Sequence, residues 1–435
     1  MNAGVFEPLV SLGRDFTAQP GLAERWELVE PTRWRFHLRQ GVRFHDGRPF
    51  TADDVVWSWT GREFLPTAVS NTLSTVTKVD DHTVDFVVST PNLRLPEQLV
   101  HPEGPIVPRG GHNDSAPPIG TGPFRVVDYR PRQRAVLERF DGYWGEKPRV
   151  RRLTFLFLPE PEERIEALED GTVDLVTNVP ADLAARIEAH PSFRLIRAPL
   201  GATQSLSFNA NALPELAVRQ AVALALDRAA YVSLVLSGNG EPGRWMSPSG
   251  ALGAPASLVD PVAFDPARAR RLLDDAGWRP AADGVRVKDG RRLTLVLIGG
   301  PAVREAGLRF VQEQLKAIGV EVAVKRASDT VTFQEYRQAP YDADLGMSNQ
   351  NDANPAFLAA GRSNEEQVAA ALAAESREAT QLIAAQMMRT IINEEFKVVP
   401  LAHVGRIYAM RHGVDLPNPH PSAISQSWVG LTTRP

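Results

Sequence analysis

The sequence predicts an α/β protein of two or three domains, with a strand-rich first third followed by two α/β blocks. Three observations carry this expectation. The 435 residues exceed what one core holds, because single cores stop growing near about 250–300 residues. Two-residue alternation of apolar and polar side chains dominates the chain before Pro148. After Arg149, short apolar strands alternate with amphipathic helices instead.

Each element has its own local reason. Trp34-Arg35-Phe36-His37-Leu38 and Thr83-Val84-Asp85-Phe86-Val87-Val88 alternate as half-buried strands do. Between them, Thr51-Ala52-Asp53-Asp54 reads as a helix start in which a hydroxyl and a later carboxylate serve orphan amides. The adjacent carboxylates complement the helix dipole there rather than forming a catalytic pair. Residues 153–158 are expected as a buried strand, 160–170 as an amphipathic helix stopped by Gly171, and 173–177 as a second strand, giving a β-α-β unit. Strands at 193–198 and 205–209 precede a long helix over 214–236, whose Val218, Ala221, Val222, Ala225, Leu226 and Ala229 form one buried stripe.

A Gly/Pro/Ser-rich stretch at 238–255 opens the third block. Asp265-Pro266 supplies an N-cap and first helical residue, and Gly277 the stop. A strand at 293–298, a helix stopped by Gly319 and a strand at 320–324 make a second β-α-β unit. A helix around 375–396 leads into a strand at 398–404.

Composition excludes several function classes. A net charge of −4 gives no basic field for nucleic acid and no polybasic surface for anionic lipid. Arginine outnumbers lysine, but Asp and Glu are interspersed, as on a solvated mixed surface. The chain has no cysteine, so disulfides, thiolate metal sites and a thiol nucleophile are excluded. Cysteine avoidance suits an extracytoplasmic protein. No apolar run approaches the roughly 18–20 residues of a membrane span. No signal peptide precedes Val5-Phe6-Glu7-Pro8-Leu9, which leaves a cytosolic chain or a trimmed targeting segment as alternatives.

Gly238-Asn239-Gly240-Glu241-Pro242-Gly243 matches the GxGxxG spacing, yet it leaves a helix and Pro242 lacks an amide, so it reads as a helix stop and turn. P-loop, GxSxG and HExxH patterns are absent, and no catalytic residue is expected. His403, His412 and His420 are the densest histidine group, at spacings no single element would gather, and are expected at the surface or in loops rather than on a metal. Trp26, Trp34, Trp57 and Trp59 fall in strand and helix patterns. Trp245 and Trp428 lie in loop-like context and are candidates for lining a ligand cleft.

Ordered motifs then connect these segments. Phe6-Glu7-Pro8-Leu9, Gly21-Leu22-Ala23-Glu24-Arg25-Trp26, Gly41-Val42-Arg43-Phe44-His45-Asp46-Gly47, Gly120-Thr121-Gly122-Pro123-Phe124, Tyr143-Trp144-Gly145, Glu169-Asp170-Gly171-Thr172-Val173-Asp174 and Ala276-Gly277-Trp278 resemble family 5 extracellular solute-binding proteins, the peptide- and nickel-binding components of ABC importers. The resemblance covers nearly the whole chain. It implies a two-lobed periplasmic-binding-protein fold of type II with an extra strand-rich domain at 10–147. It also implies a discontinuous lobe of 1–9, 148–237 and 405–435, and a second lobe of 238–404. Family members carry about thirty more residues ahead of Phe6, including a strand of the discontinuous lobe, and these are missing here.

The resemblance further implies a monomeric receptor that closes over a small-molecule or short-peptide ligand and passes it to a permease and ATPase complex, without cofactor, metal or nucleic acid. An extracytoplasmic location with its signal segment absent is implied as well. In peptide-binding relatives an aspartate meets the peptide's amino terminus. Its place here falls on Gln350 or Asn351, with Asp352 reaching it only if the loop shifts, so Asn349, Gln350, Asn351 and Asp352 are candidate contacts of mainly amide character. A neutral amide forfeits the charge-assisted part of that bond, roughly half its strength. In nickel-binding relatives an arginine shortly before Tyr-Trp-Gly holds the carboxylates of a chelate, and Arg139 stands there. Their metal-binding histidine would fall near Glu365 or Glu366, where none exists. A peptide-like or other small polar or anionic solute is therefore expected. A cytosolic ligand sensor reusing this fold, or an enzyme with dispersed catalytic residues, are the competing readings.

Overall fold

The computed structural model describes residues 2–60, 73–100, 104–110, 117–246, 262–349, 370–371, 373–374, 376–421 and 426–433. Helix α1 (Asn2–Val5) is followed by a hairpin of β1 (Val10–Leu12) and β2 (Ala18–Pro20). Next come β3 (Ala23–Glu30), β4 (Arg33–Leu38), α2 (Ala52–Thr60), β5 (Leu73–Asp80) and β6 (Thr83–Val88), the strands pairing antiparallel in the order β3-β4-β6-β5. Alternation decides which face is buried. Trp34, Phe36 and Leu38 point into the core, while Arg35 points out and meets Asp85, directly opposite on β6, at 2.8 Å.

Helix α2 covers this sheet, with Trp59 edge-on to Phe86 at 5.7 Å between ring centroids. The Asp53-Asp54 pair is structural. Asp54 accepts the Thr51 N–H at 2.9 Å and the Arg109 N–H at 2.8 Å, and Asp53 pairs with Lys78 at 2.9 Å.

The chain then forms a three-stranded antiparallel sheet of β7 (Phe124–Arg130), β8 (Arg134–Arg139) and β9 (Arg152–Leu156). The turn before β7 needs glycine for a steric reason. A Cβ on Gly120 would stand 2.0 Å from the Val5 carbonyl oxygen, and Gly122 donates to that same oxygen at 3.0 Å. The N-terminal segment thus threads through a gap only hydrogen atoms can line.

Helix α3 (Pro161–Glu169), β10 (Leu175–Thr177), α4 (Ala181–Glu188) and the 16-residue β11 (Phe193–Phe208) lead into α5 (Leu216–Ala225). Two expectations fail here. The long helix over 214–236 is interrupted, because Leu226 is extended (ψ 110°) and the Asp227 carboxylate restarts the chain by capping the Ala230 N–H; a π turn, Tyr231–Val235, follows. Strand β9 is only half-buried rather than buried, and it pairs with β8, not with β10. The first β-α-β unit therefore does not close on itself.

After the stop at Gly238 (φ +75°) come β12 (Glu241–Pro242), α6 (Pro266–Asp275), capped by Asp265, and a small meander of β13 (Arg279–Pro280), β14 (Arg286–Lys288) and β15 (Arg291–Arg292). Strand β16 (Thr294–Gly299), α7 (Glu305–Lys316) and β17 (Glu321–Arg326) form a closed β-α-β unit, β16 and β17 pairing parallel over six residues each. Helix α8 (Thr330–Gln338), β18 (Ala343–Asn349), α9 (Arg377–Arg389) with a π turn at Thr390–Glu394, and the 14-residue β19 (Val398–Arg411) complete the second half. The π turn and the left-handed Phe396 (φ +49°) end the expected 375–396 helix early.

The main sheet runs β10-β19-β11-β18-β16-β17, with β12 beside β19. Strands β11 and β19 are shared by both of its ends. Their register slips between Arg197 and Leu200 and again between Leu200 and Ala202, beside Gly405, whose Cβ would lie 2.2 Å from the Ala198 oxygen. The C-terminal segment, with β20 (Val414–Asp415) and β21 (Thr432–Thr433), returns past this crossing. Arg14 donates to the carbonyls of Asn418 (2.9 Å) and Pro419 (2.7 Å), and His420 Nε2 donates to Leu12 at 3.1 Å. A Cβ on Gly201 would stand 2.0 Å from the Pro421 oxygen, so the same stretch also lies against β11.

Candidate ligand-binding site

One transverse row of the main sheet sets residues of four strands at a common level by backbone register. Ser348 on β18 pairs with Thr203 on β11, Thr203 with His403 on β19, and His403 with Glu241 on β12. Asn349 ends β18 one step away, opposite Ala202. His403 Nε2 accepts the Arg244 N–H at 3.3 Å, so its Nδ1 carries the proton and donates to Thr203 Oγ1 at 3.0 Å. Burial pushes this imidazole down to about 4, so it is neutral near pH 7. The expected surface placement of the histidines is thus corrected for His403 and His420, both buried; their extended strand and strap positions face inwards, whereas His412 is exposed.

Trp245 follows Arg244 and packs with Met246 on Met387, Met388, Ile391 and Val398. It holds the turn after β12 against α9. Gln350, Asn351 and Asp352 lie outside the described residues.

Arg139 and Trp428 belong to the other end of the molecule. Arg139 ends β8, donates through Nε to Asp141 at 2.8 Å and through Nη1 to the Pro148 carbonyl at 3.4 Å, and is about a quarter exposed (27%). Trp428 lies edge-on to Phe155 of β9 at 5.7 Å and lines a cavity of about 380 Å³ between β9 and β10. The expected contacts therefore fall into two groups, Trp245 with Asn349 at one end of the long strands and Arg139 with Trp428 towards the other.

The structure adds a residue that motif reading treated as scaffold alone. The Glu7 carboxylate is enclosed although its residue is partly exposed. It accepts from Thr121 Oγ1 and Tyr143 Oη, both at 2.8 Å, and from Trp144 Nε1 at 3.0 Å. Arg39 stacks over Trp144, 4.2 Å from the ring centre. Burial raises the Glu7 carboxyl above its ordinary range, against the pull of these donors and of Arg39. Burial, and then the Glu7 charge, push the Tyr143 hydroxyl up. A lone carboxylate inside the apolar run Val5-Phe6-Glu7-Pro8-Leu9 was the available signal. The knot fixes the segment that passes from the strand-rich block to β7–β9.

Among the described residues no three His, Asp or Glu side chains cluster as metal ligands, and no helix is long and apolar enough to cross a membrane. What remains is a two-ended sheet with polar groups near the crossing. Residues 17–366 match the family described as bacterial extracellular solute-binding proteins, family 5 Middle. The chain belongs to that family.

This family 5 protein is 27% identical over 379 residues to the nickel-binding periplasmic protein of Escherichia coli K12, covering 79% of the chain and 72% of the relative. It is 30% identical over 377 residues to protein XP55 of Streptomyces lividans, covering 81% and 67%. The dipeptide-binding protein of Escherichia coli K12 is 28% identical over 361 residues, covering 75% and 65%. The aligned part thus spans about two thirds of the length of these relatives. NikA of Brucella suis, solved with Fe(III)-EDTA, superposes with a TM-score of 0.87 at 24% identity over 99% of this chain and 94% of that one. AppA of Bacillus subtilis, solved with a nonapeptide, gives 0.85 at 23% over 100% and 94%. The fold is that of the two-lobed periplasmic binding proteins, and the family is one of binding proteins acting outside the cytoplasm.

Proposed function

We propose that this protein captures a small polar or anionic solute between its lobes and delivers it to the permease and ATPase of an ABC importer, acting as a monomer on the outer side of the membrane. The observation that carries this reading is the crossing of β11 and β19. Two long strands shared by both ends of the sheet change register beside Gly201 and Gly405. Slipped register and missing side chains lower the cost of bending there, so the ends can rotate as two bodies. We place the lobes at 1–9 with 148–237 and 405–435, and at 238–404, with the strand-rich domain at 10–147. The family assignment favours this reading over a cytosolic sensor.

In our reading Arg139 supplies the charge. Asp141 occupies one edge of its guanidinium, leaving donors for a carboxylate to take up bidentately. Asn349 to Asn351, Asp352, Trp245 and Trp428 are the proposed remaining contacts. Closure shifts the population towards a state in which ligand touches both lobes.

Native mass spectrometry of the purified protein tests the capture. One stoichiometric non-peptide, anionic solute is expected, and Arg139→Ala should weaken its binding roughly tenfold to a hundredfold, as loss of a charged hydrogen bond does. A stoichiometric dipeptide or tripeptide would overturn the choice of cargo. Unchanged affinity in the variant would remove Arg139 from the site.

A further inference from the structure

Helix α7 starts with a charge of the wrong sign. Arg304 stands at its N-cap in extended conformation (ψ 152°) and makes no side-chain cap, although a helix start favours anions over cations. The partners of Arg304 lie elsewhere in the chain. Its Nη2 meets Asp182 at 2.7 Å and Glu162 at 3.1 Å, across 122 and 142 residues of sequence. Those carboxylates sit in the first turns of α4 and α3, where negative charge is favoured. One guanidinium thus joins the proposed lobe of 238–404 to that of 148–237. Two further contacts flank it. Ala181, at the start of α4, packs against both the cluster of Ile165 and Ile187 and that of Leu308 and Val311. At the other end of α4, Arg197 pairs with Glu188 at 2.8 Å and donates to Asn239, just past the Gly238 stop.

We propose that Arg304, Asp182 and Glu162 form a latch between the lobes, which holds the arrangement seen here and opens when the β16–β18 end swings about the crossing. The proposal rests on the two-lobed capture reading above and adds what sets its resting state. Arg197 lies at the register slip, so its contact turns with the pivot. Arg304 is carried on the loop after β16 and leaves its partners when α7 moves. The side chains of Arg304, Asp182 and Glu162 are 35%, 42% and 51% exposed, so each pair alone is weak. Sharing one arginine between two carboxylates means that its rotamer freedom is lost once for both pairs. A weak latch suffices, because the states of a hinge lie close in free energy and a small bias redistributes them. Ligand affinity then carries that bias, since apparent affinity scales with the fraction of molecules competent to bind.

The chain has no cysteine, so Ser192→Cys and Lys316→Cys place one dye on each lobe. Both sites are exposed; Ser192 precedes β11, and Lys316 ends α7 at the end away from Arg304. Single-molecule energy transfer between the dyes reads the populations of the ligand-free full chain. Arg304→Gln should raise the share of a second distance, relative to the first, roughly threefold, as loss of two exposed ion pairs does. Combining Arg304→Asp with Asp182→Arg should return the populations to those of the parent. Salt at 1 M, where screening acts over about 3 Å, should move the parent by a similar factor and Arg304→Gln hardly at all. Equal populations in the parent and Arg304→Gln overturn the latch, as does a shift that the charge swap leaves in place. Native mass spectrometry reads capture separately. A stoichiometric solute on both proteins with unmoved populations discards the latch and keeps the receptor.

Discussion

Two of the strand-helix-strand units have similar sequence signatures and opposite outcomes. In the unit of β16, α7 and β17 the strands pair parallel, and Leu308, Val311 and Leu315 of the helix are buried against them. In the unit of β9, α3 and β10 the helix is buried through Ile165 and Leu168, yet the strands stay apart with their apolar residues half-exposed. Helical periodicity reports only what the helix covers. Whether the flanking strands touch depends on their distant sheet partners, β8 for β9 and β19 for β10, which local sequence does not encode.

Substitutions in the two units should have unequal effects. The largest effect is expected in the closed unit. Leu308→Ala should cost about 2–5 kcal/mol by leaving a cavity in a full core, read as a lowered denaturant midpoint. Near the crossing, His403 should impose an acid limit. Its folded pKa lies below its ordinary value of 6.5, so its contribution is complete above about 6.5 and is lost as pH falls towards about 4. The drop should be on the order of 3 kcal/mol, and His403→Gln should flatten the stability profile across that window.

Glu7 carries the opposite sign. Its folded pKa is raised, so its contribution is complete below the ordinary 4.5 and declines as pH rises through the folded value. Glu7→Gln should remove that decline in a pH series of thermal midpoints. The smallest effect belongs to the open unit. Leu153→Ala, half-buried beside the cavity between β9 and β10, should cost about 1 kcal/mol or less. A loss as large as that of Leu308→Ala would erase the distinction between the two units.

Sequence made much of this legible. The alternation in β4, the cap at Asp265, the stop at Gly277 and the β16-α7-β17 unit each depend on near neighbours. The interruption at Leu226 was hidden because its apolar stripe continues through the break, while Asp227 competes as a cap. Motif order identified the family but described the site poorly. Arg139 can be located by its distance from Tyr143, whereas its partner Asp141 and the carbonyl of Pro148 emerge only when the turn after β8 folds back. Glu7 meets Thr121, Tyr143 and Trp144 from more than a hundred residues away, and no local pattern encodes such a meeting.

The stretch 418–421 has a mechanical consequence. It is held by Arg14 and Leu12 on one side and lies against Gly201 on the other. It works as a guy-rope between the strand-rich block and the crossing strands. A rotation that parts the hairpin from β11 must first break three hydrogen bonds, whereas one that swings the β16–β18 end about the crossing strains none of them. The proposed closure is therefore expected to follow the second motion.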